Sequence, residues 1–232
     1  VEQAIKNSKR ENSLEKVLYT PNRTRFLDDA NRPQYHLIEP EKWMNEPHAP
    51  FFYNGYYHIF YQANLHAPIW DSIQWGHLAS KDMVHWKDLP LALQSKPGFY
   101  DELGCWSGSG MIDKEGVPRI YYTAGNNNRF PNQAVALAQP KDLEKDTLLE
   151  KWEKYPSLIK EQDIGWLGEF RDPFVWIEQD NYFMLVGTGD EHNGGGNAAL
   201  YVSADGLNWE SCGMLVAVSY THLRAHETGA YL

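Results

Sequence analysis

The sequence is poor in cysteine, in positive charge and in long apolar runs. Its 232 residues include two cysteines, Cys105 and Cys212, too few for a disulfide framework. The formal net charge of −10 disfavours nucleic acid and anionic membranes as partners. No apolar run reaches the roughly 18 residues of a membrane span, and the N-terminal stretch lacks the apolar core of a secretion signal. We therefore expect a protein that binds neither nucleic acid nor membrane and is cytoplasmic, or secreted if an N-terminal signal is missing from this sequence.

Aromatic residues, by contrast, are abundant. They make up 14% of the chain, with 9 Trp and 14 Tyr, which is typical of β-rich proteins and of proteins that stack flat ligands. Residues 1–35 are polar and charged, and we predict a leader there that is partly helical, with a short helix in residues 2–18. From residue 36 onward the pattern changes to short strands separated by Gly, Asn and Asp turns.

Three segments of residues 36–217 repeat this strand pattern. An aromatic or aliphatic position recurs at intervals of 63 and 62 residues, and a tryptophan recurs at intervals of 66 and 57 residues: Tyr57, Ile120 and Tyr182, then Trp86, Trp152 and Trp209. Four strands per unit at this period predict β-propeller blades. An irregular β-sandwich is the alternative. A parallel α/β fold would need helical crossovers, and within the repeat region only residues 140–152 have a helical pattern.

Two carboxylates fall at the same place in the repeat. Glu46 and Asp172 each lie 10 or 11 residues before the repeated aromatic position, and a proline follows each. The first strand of a propeller blade is innermost, so we expect both side chains at the mouth of the central channel. Two carboxylates in one funnel predict glycosidic chemistry, which needs one carboxyl as nucleophile or base and another as acid. Alternatively each caps a turn or pairs with a neighbour, as Arg171 allows for Asp172.

Five blocks in order resemble glycoside hydrolase family 32 over residues 36–216: "WMNEPHAP", "HIFYQAN", "QWGHLASKDMVHW", "CWSGSG" and "FRDPFVW". The first is similar to the family's Trp-Met-Asn-Asp-Pro-Asn-Gly signature. The family includes invertases, levanases, inulinases and sucrose-6-phosphate hydrolases. The resemblance implies an all-β fold, namely a five-bladed β-propeller of which this chain supplies about three blades. It also implies a retaining enzyme that needs no cofactor or metal and releases fructose from sucrose or fructo-oligosaccharides.

The resemblance assigns roles to individual residues. Glu46 stands where the family has its nucleophile, and Asp172 would stabilise the transition state rather than attack. The other matching positions would bind or surround the fructosyl ring: Asn45, Gln62, Trp75, Trp106, Ser107 and Arg171. The family's nucleophile is Asp, and Glu46 adds one methylene, roughly 1.5 Å of reach. Glu46 indicates either a divergent subgroup built around Glu or a weakened or repurposed site, and we favour the subgroup because the surrounding blocks are intact. A fructosyltransferase, an arabinoside-cleaving propeller and a non-catalytic sugar-binding propeller are alternatives.

The end of the sequence departs from the family pattern. The family's general acid belongs to a Glu-Cys block at the start of the fourth blade, and no such block occurs in the sequence. Residues 218–232 show no strand alternation and resemble translated sequencing-adapter sequence, so we interpret them as non-native. We therefore expect an N-terminal fragment of an enzyme, inactive without the acid. No pattern in the sequence indicates an oligomeric state.

Overall fold

The computed structural model describes residues 20–33, 36–126, 132–155, 158–160, 169–189 and 196–217. The predicted leader helix, in residues 2–18, and the predicted non-native tail lie outside these ranges. The described part of the leader forms a four-residue 3-10 helix, Arg23–Phe26. Within the described ranges, no helix is long and apolar enough to cross a membrane.

The described strands form three antiparallel sheets in chain order. The first sheet contains β1 (Trp43–Tyr53), β2 (Tyr56–Asn64), β3 (Gln74–Ser80) and β4 (Trp86–Leu93). The middle sheet contains β5 (Gly104–Ile112), β6 (Pro118–Gly125), β7 (Gln133–Pro140) and β8 (Trp152–Lys154), with the short β9 (Ile159–Lys160) paired to β7. The third sheet contains β10 (Phe170–Glu178), β11 (Asn181–Gly189), β12 (Gly196–Ser203) and β13 (Glu210–Ala217). Consecutive strands pair as meanders, which confirms the predicted all-β fold of about three propeller blades.

The two repeated sequence positions fall at equivalent places in the sheets. One lies near the start of the second strand, and the other at or just before the start of the fourth: Tyr57, Ile120 and Tyr182, then Trp86, Trp152 and Trp209. The period read from the sequence is therefore the period of the sheets.

The turn between the third and fourth strands is the same in the first and third sheets. Ser80 Oγ accepts the N–H groups of Asp82 and Met83 at 3.2 and 2.9 Å, and Asp82 Oδ1 accepts the next two at 2.9 and 2.8 Å. Ser203 and Asp205 make the corresponding bonds at 3.2, 2.9, 2.8 and 2.8 Å. Backbone donors favour the charged carboxylate, so they hold the pKa of both aspartates below its usual range.

The helical prediction for residues 140–152 is wrong, because this segment forms turns between β7 and β8. The side chain of Asp142 accepts the N–H of Lys145 at 3.2 Å, and that of Asp146 accepts the N–H of Lys151 at 2.8 Å. Leu149 has a φ of 57°, which no right-handed helix contains. Aspartate side chains offer the backbone partners that compete with helical bonds, and here they prevail over the apolar spacing.

Buried clusters join neighbouring sheets. One lies between the first and middle sheets and includes Phe60, Trp75 and Ile120. Another lies between the middle and third sheets and includes Tyr121 and Met184. The middle sheet is therefore covered on both faces, as stacked propeller blades require.

Candidate active site

Each first strand loses its regular register where the sequence predicts site residues. The irregular positions are Asn45 and Glu46 in β1, Ser107 in β5, and Asp172 with Pro173 in β10. A β-bulge redirects a side chain and terminates local pairing, and bulges are common next to active sites. Positions that the repeat predicts to be equivalent therefore have the same structural feature, a register shift in the first strand of each sheet.

The three first strands also lie side by side. β5 contacts both β1 and β10, so the irregular position of the middle sheet lies between those of the other two. Residues 61 and 65 positions apart in the chain, Glu46 with Ser107 and Ser107 with Asp172, are brought into one region by this contact.

A chain of hydrogen bonds ends on Glu46. Asn45 Nδ2 donates to Gln62 Oε1 at 3.4 Å, and Gln62 Nε2 donates to Ser107 Oγ at 2.6 Å. Ser107 Oγ in turn donates to Glu46 Oε1. Because the amide of Gln62 occupies a lone pair of the serine oxygen, the serine proton is directed to the carboxylate. Gln62 is buried, whereas the Glu46 side chain is 42% exposed, so the carboxylate is anchored at one oxygen and open to a ligand.

Asp172 is tied to the same serine through the backbone. Its N–H donates to Thr123 Oγ1 at 2.8 Å, and Thr123 Oγ1 donates to the Ser107 carbonyl at 3.0 Å. Asp172 is exposed and has a φ of 60°, a left-handed conformation that aspartate tolerates better than most residues. The structure therefore connects both predicted carboxylates to Ser107.

Two predicted tryptophans take different places. Trp75 is fully buried, and its Nε1 donates to the Trp106 carbonyl at 3.0 Å. Trp106 is partly exposed and covers Gly125, where a Cβ would lie 2.4 Å from the indole. The ring of Trp70, 53% exposed, lies 5.8 Å from that of Trp106. Trp106 thus forms an accessible aromatic surface together with Trp70, while Trp75 supports its backbone from inside.

Arg171, the last predicted site residue, precedes Asp172 on β10. Its guanidinium forms an ion pair with Glu169, and the two side chains are 34% and 45% exposed. An ion pair with this exposure contributes little to stability. Arg171 therefore supplies an accessible cation next to Asp172.

The structure places His48 beside Glu46, whereas its occurrence as a lone histidine in the sequence favours a structural hydrogen-bonding role over a substrate contact. Its Nδ1 lies 4.0 Å from Glu46 Oε1, and its ring centroid lies 3.9 Å from that of Trp75. Burial lowers the pKa of His48 to about 3, so the imidazole is neutral at physiological pH. The signal was its place in "NEPHAP", where the family signature has Asn. Thr123, in the buried strand β6, carried no comparable signal.

The next residue, Ala49, shows what the change of signature does to the backbone. It has a φ of 49° at the position where the family signature has Gly, the residue that takes this conformation without strain. Within the described ranges, no cluster of three or more His, Cys, Asp or Glu side chains is arranged to hold a metal ion.

Carboxylates, amides and an indole therefore lie near one another where the first strands of the three sheets meet. The family model described as Glycosyl hydrolases family 32 N-terminal domain matches residues 36–228, and the chain belongs to this family. The resemblance inferred from the sequence blocks is thereby confirmed.

The chain is also similar in sequence to curated proteins. The chain is 37% identical over 196 residues to a fructan 6-exohydrolase of Beta vulgaris, covering 80% of this chain and 31% of the relative. It is 38% identical to a cell wall isozyme of beta-fructofuranosidase from Zea mays, covering 77% and 30%. The chain thus spans about a third of the length of these relatives.

Solved structures agree with the fold. Fructan 1-exohydrolase IIa from Cichorium intybus matches with a TM-score of 0.69 and 35% identity, over 78% of this chain and 33% of that protein. Sucrose-6-phosphate hydrolase from Lactobacillus gasseri matches with a TM-score of 0.71 and 26% identity, over 83% and 38%.

Proposed function

We propose that this chain is part of the catalytic domain of a retaining β-fructosidase that releases fructose from sucrose or β-fructans. The relatives named as fructan exohydrolases and beta-fructofuranosidases support the substrate class. The observation that carries the proposal is the hydrogen-bond chain that ends on Glu46, in the bulge of the first strand.

In this proposal Glu46 is the nucleophile. Ser107 holds Oε1, so Oε2 attacks the anomeric carbon of the fructosyl unit while the bond from that carbon to the leaving-group oxygen breaks. The leaving oxygen takes a proton from a general acid. Water then attacks the anomeric carbon, the bond from that carbon to Glu46 breaks, and the deprotonated general acid takes the proton from the water. Asp172 stabilises the positive charge that develops on the ring.

Four of the remaining predicted residues contact the sugar in this proposal. Asn45, Gln62 and Arg171 offer amide and guanidinium donors to its hydroxyl groups, and Trp106 contacts an apolar edge of the ring. Trp75, enclosed behind Trp106, acts by supporting that neighbour. Glu46 is longer than the family's Asp, and its bond to Ser107 across the sheet boundary fixes the extra methylene in place.

The reaction also needs the general acid, which the family resemblance assigns to a Glu-Cys block that the sequence does not contain. We therefore expect residues 1–232 alone to release no fructose from sucrose. The complete gene product, meaning the proposed longer protein that also carries the Glu-Cys block, should release it. Fructose release by the isolated chain would contradict the assignment of the acid to that block.

Replacement of the nucleophile tests the proposal. Glu46→Gln in the complete gene product should lower kcat for fructose release by about 10⁴-fold or more, the range seen when a nucleophile is removed. Glu178→Gln, at the far end of β10, is the control and should leave kcat unchanged. Glu46→Asp should also lower kcat, because the carboxylate then falls short of the anomeric carbon.

Two results would reject the assignment. Near-normal turnover by Glu46→Gln would remove Glu46 from the mechanism. Tight fructan binding by the complete wild-type protein without any turnover, measured by calorimetry, would instead indicate a non-catalytic sugar-binding propeller.

A further inference from the structure

Thr123 connects the part of the candidate site around Asp172 to the part around Glu46. Its side chain lies on β6 of the middle sheet and is fully buried. Oγ1 accepts the N–H of Asp172 at 2.8 Å and donates its own proton to the Ser107 carbonyl at 3.0 Å. A hydroxyl can do both at once, because it has one donor proton and two lone pairs. A single buried hydroxyl therefore connects the third sheet to the residue that holds Glu46.

The backbone of Asp172 depends on such a partner. Its position falls inside the register shift between β10 and β11, and its N–H bonds to Thr123 of another sheet. Its φ of 60° is one that a non-glycine residue keeps only where its surroundings stabilise it. The direction of the carboxylate follows from this conformation, since the Cα–Cβ bond turns with the backbone.

We propose that Thr123 is a positioning residue, which holds the Asp172 carboxylate at a fixed distance and angle from Glu46 through the bridge from the Asp172 N–H to the Ser107 carbonyl. It touches neither the substrate nor the reacting atoms. This inference rests on the proposed role of Asp172 in stabilising the transition state.

The chain offers a matched control in Thr188. It is also buried, at 6% exposure, and also lies on the second strand of its sheet, β11. Within the part of the chain that the structure describes, its hydroxyl has no hydrogen-bond partner. Thr→Val therefore removes a two-bond bridge at Thr123 and no bond at Thr188, with the same change of shape at both.

The experiment uses the complete gene product with three variants. Thr123→Val should lower kcat/KM for sucrose by about 10- to 100-fold, mainly through kcat, since a misplacement of about 1 Å costs up to that much. Thr123→Ser keeps the hydroxyl and should stay within about threefold of wild type. Thr188→Val should match wild type. Wild-type kcat/KM in a folded Thr123→Val variant would overturn the proposal.

Hydrogen exchange of the Asp172 amide provides a readout that does not depend on activity. Its protection should fall at least about tenfold in Thr123→Val, return in Thr123→Ser and stay unchanged in Thr188→Val. Unaltered Asp172 exchange in Thr123→Val would overturn the bridge even if activity fell. Should the wild-type protein release no fructose, the proposed function fails, whereas the exchange result still tests the bridge.

A fourth variant covers the case in which Thr123→Val does not fold. Thr123→Cys has nearly the same volume and retains a weak donor and acceptor. It should show a smaller loss of Asp172 protection and of kcat/KM than the valine variant would, about three- to tenfold. Protection equal to that of wild type in Thr123→Cys, together with wild-type kcat/KM, would count against the proposal.

Discussion

The middle and third sheets are the same four-stranded meander with different surroundings. All eight residues of β6 are buried, whereas buried and half-buried residues alternate along β12. Neighbours explain the difference: Ile120 and Tyr122 of β6 pack toward the first sheet, and Tyr121 packs toward the third. The strands of a blade are therefore buried on both faces only where a second blade covers the outer face of the sheet.

The less covered face of the third sheet is nonetheless aromatic. Trp176 stacks on Phe183 with ring centroids 5.5 Å apart, and Phe174 lies 6.1 Å from Trp176 and is 59% exposed. These rings contact one another, whereas Tyr121 on the second strand of the middle sheet packs against residues of the third sheet. The same kind of side chain therefore contributes less stability in the third sheet.

The largest expected difference between the two sheets concerns their ion pairs. Lys154 Nζ lies 2.6 Å from Asp101 Oδ2, and Asp101 is fully buried behind the middle sheet. Lys154→Met leaves a buried carboxylate without its cation and should lower the free energy of unfolding by about 3–5 kcal/mol. Glu169→Gln breaks the exposed pair with Arg171 and should cost at most about 1 kcal/mol.

Urea denaturation of both variants measures this contrast. Adding Asp101→Asn to Lys154→Met removes the unpaired charge and should recover part of the loss. Equal effects of Lys154→Met and Glu169→Gln would contradict the difference in burial on which the contrast depends.

A pair of leucines compares apolar packing in the same way. Leu137 on β7 is fully buried, and Leu200 on β12, the equivalent third strand, is half-buried. Leu137→Ala should cost about 2–4 kcal/mol, because a cavity forms between covered faces. Leu200→Ala should cost about 1 kcal/mol, because less apolar area is lost. Thermal unfolding of both variants tests this, and a larger loss for Leu200→Ala would show that the third sheet is covered as fully as the middle one.

Acid should distinguish the first sheet from the third, since residues 169–217 contain a single histidine, His192, outside the described ranges. Burial lowers the pKa of His48 to about 3 and that of His58 to about 4, and lowers the pKa of His77 well below its usual value. The unfolded chain binds more protons between pH 6.5 and 4, so stability should fall through this window as pH decreases.

The expected loss is about 1 kcal/mol per histidine for the first pH unit below 6.5. Denaturation at pH 7.5 and 5.5 measures it. His58→Gln should remove the contribution of one histidine to the loss of stability between pH 7.5 and 5.5. An equal loss in His58→Gln and wild type would contradict the attribution of this loss to the buried histidines.

The smallest effect concerns residues with positive φ in the first strands. Ala49 in the first sheet and Asp172 in the third both have this conformation, but aspartate tolerates it better than alanine. Ala49→Gly should therefore stabilise the protein by a net amount of about 0.5–1 kcal/mol, even though glycine is more flexible in the unfolded chain. Asp172→Gly should stabilise the protein by less. A larger stabilisation by Asp172→Gly than by Ala49→Gly would contradict the inference that alanine is the more strained of the two residues.

Much of the fold could be predicted because the repeat appears directly in the residues. The turn pairs Ser80–Asp82 and Ser203–Asp205 and the tryptophans that open the fourth strands recur with the sheets. The positions of the carboxylates were predictable for the same reason, since each is followed by proline in the first strand. The turn segment 140–152 was not, because its aspartate bonds depend on local geometry that apolar spacing does not report.

The connections within the site could not be predicted. Thr123 occurs in a buried strand, "RIYYTAG", and its sequence context is that of a packing residue. Its role depends on a register shift in another sheet, which lies 49 residues further along the chain. The burial of Trp75 beneath Trp106 likewise depends on how two sheets stack, and the family blocks place both in one pocket without telling which one is accessible.

The register shifts in the first strands have a consequence for how this protein can change. Regular pairing is already interrupted at these three places, so a new side chain there disturbs few backbone bonds of the sheets. Glutamate, serine and aspartate occupy equivalent points of one architecture, each with its own chemistry. Substitution at these positions is thereby separated from the integrity of the scaffold, which is the condition under which a family can exchange one acid for another and keep its shape.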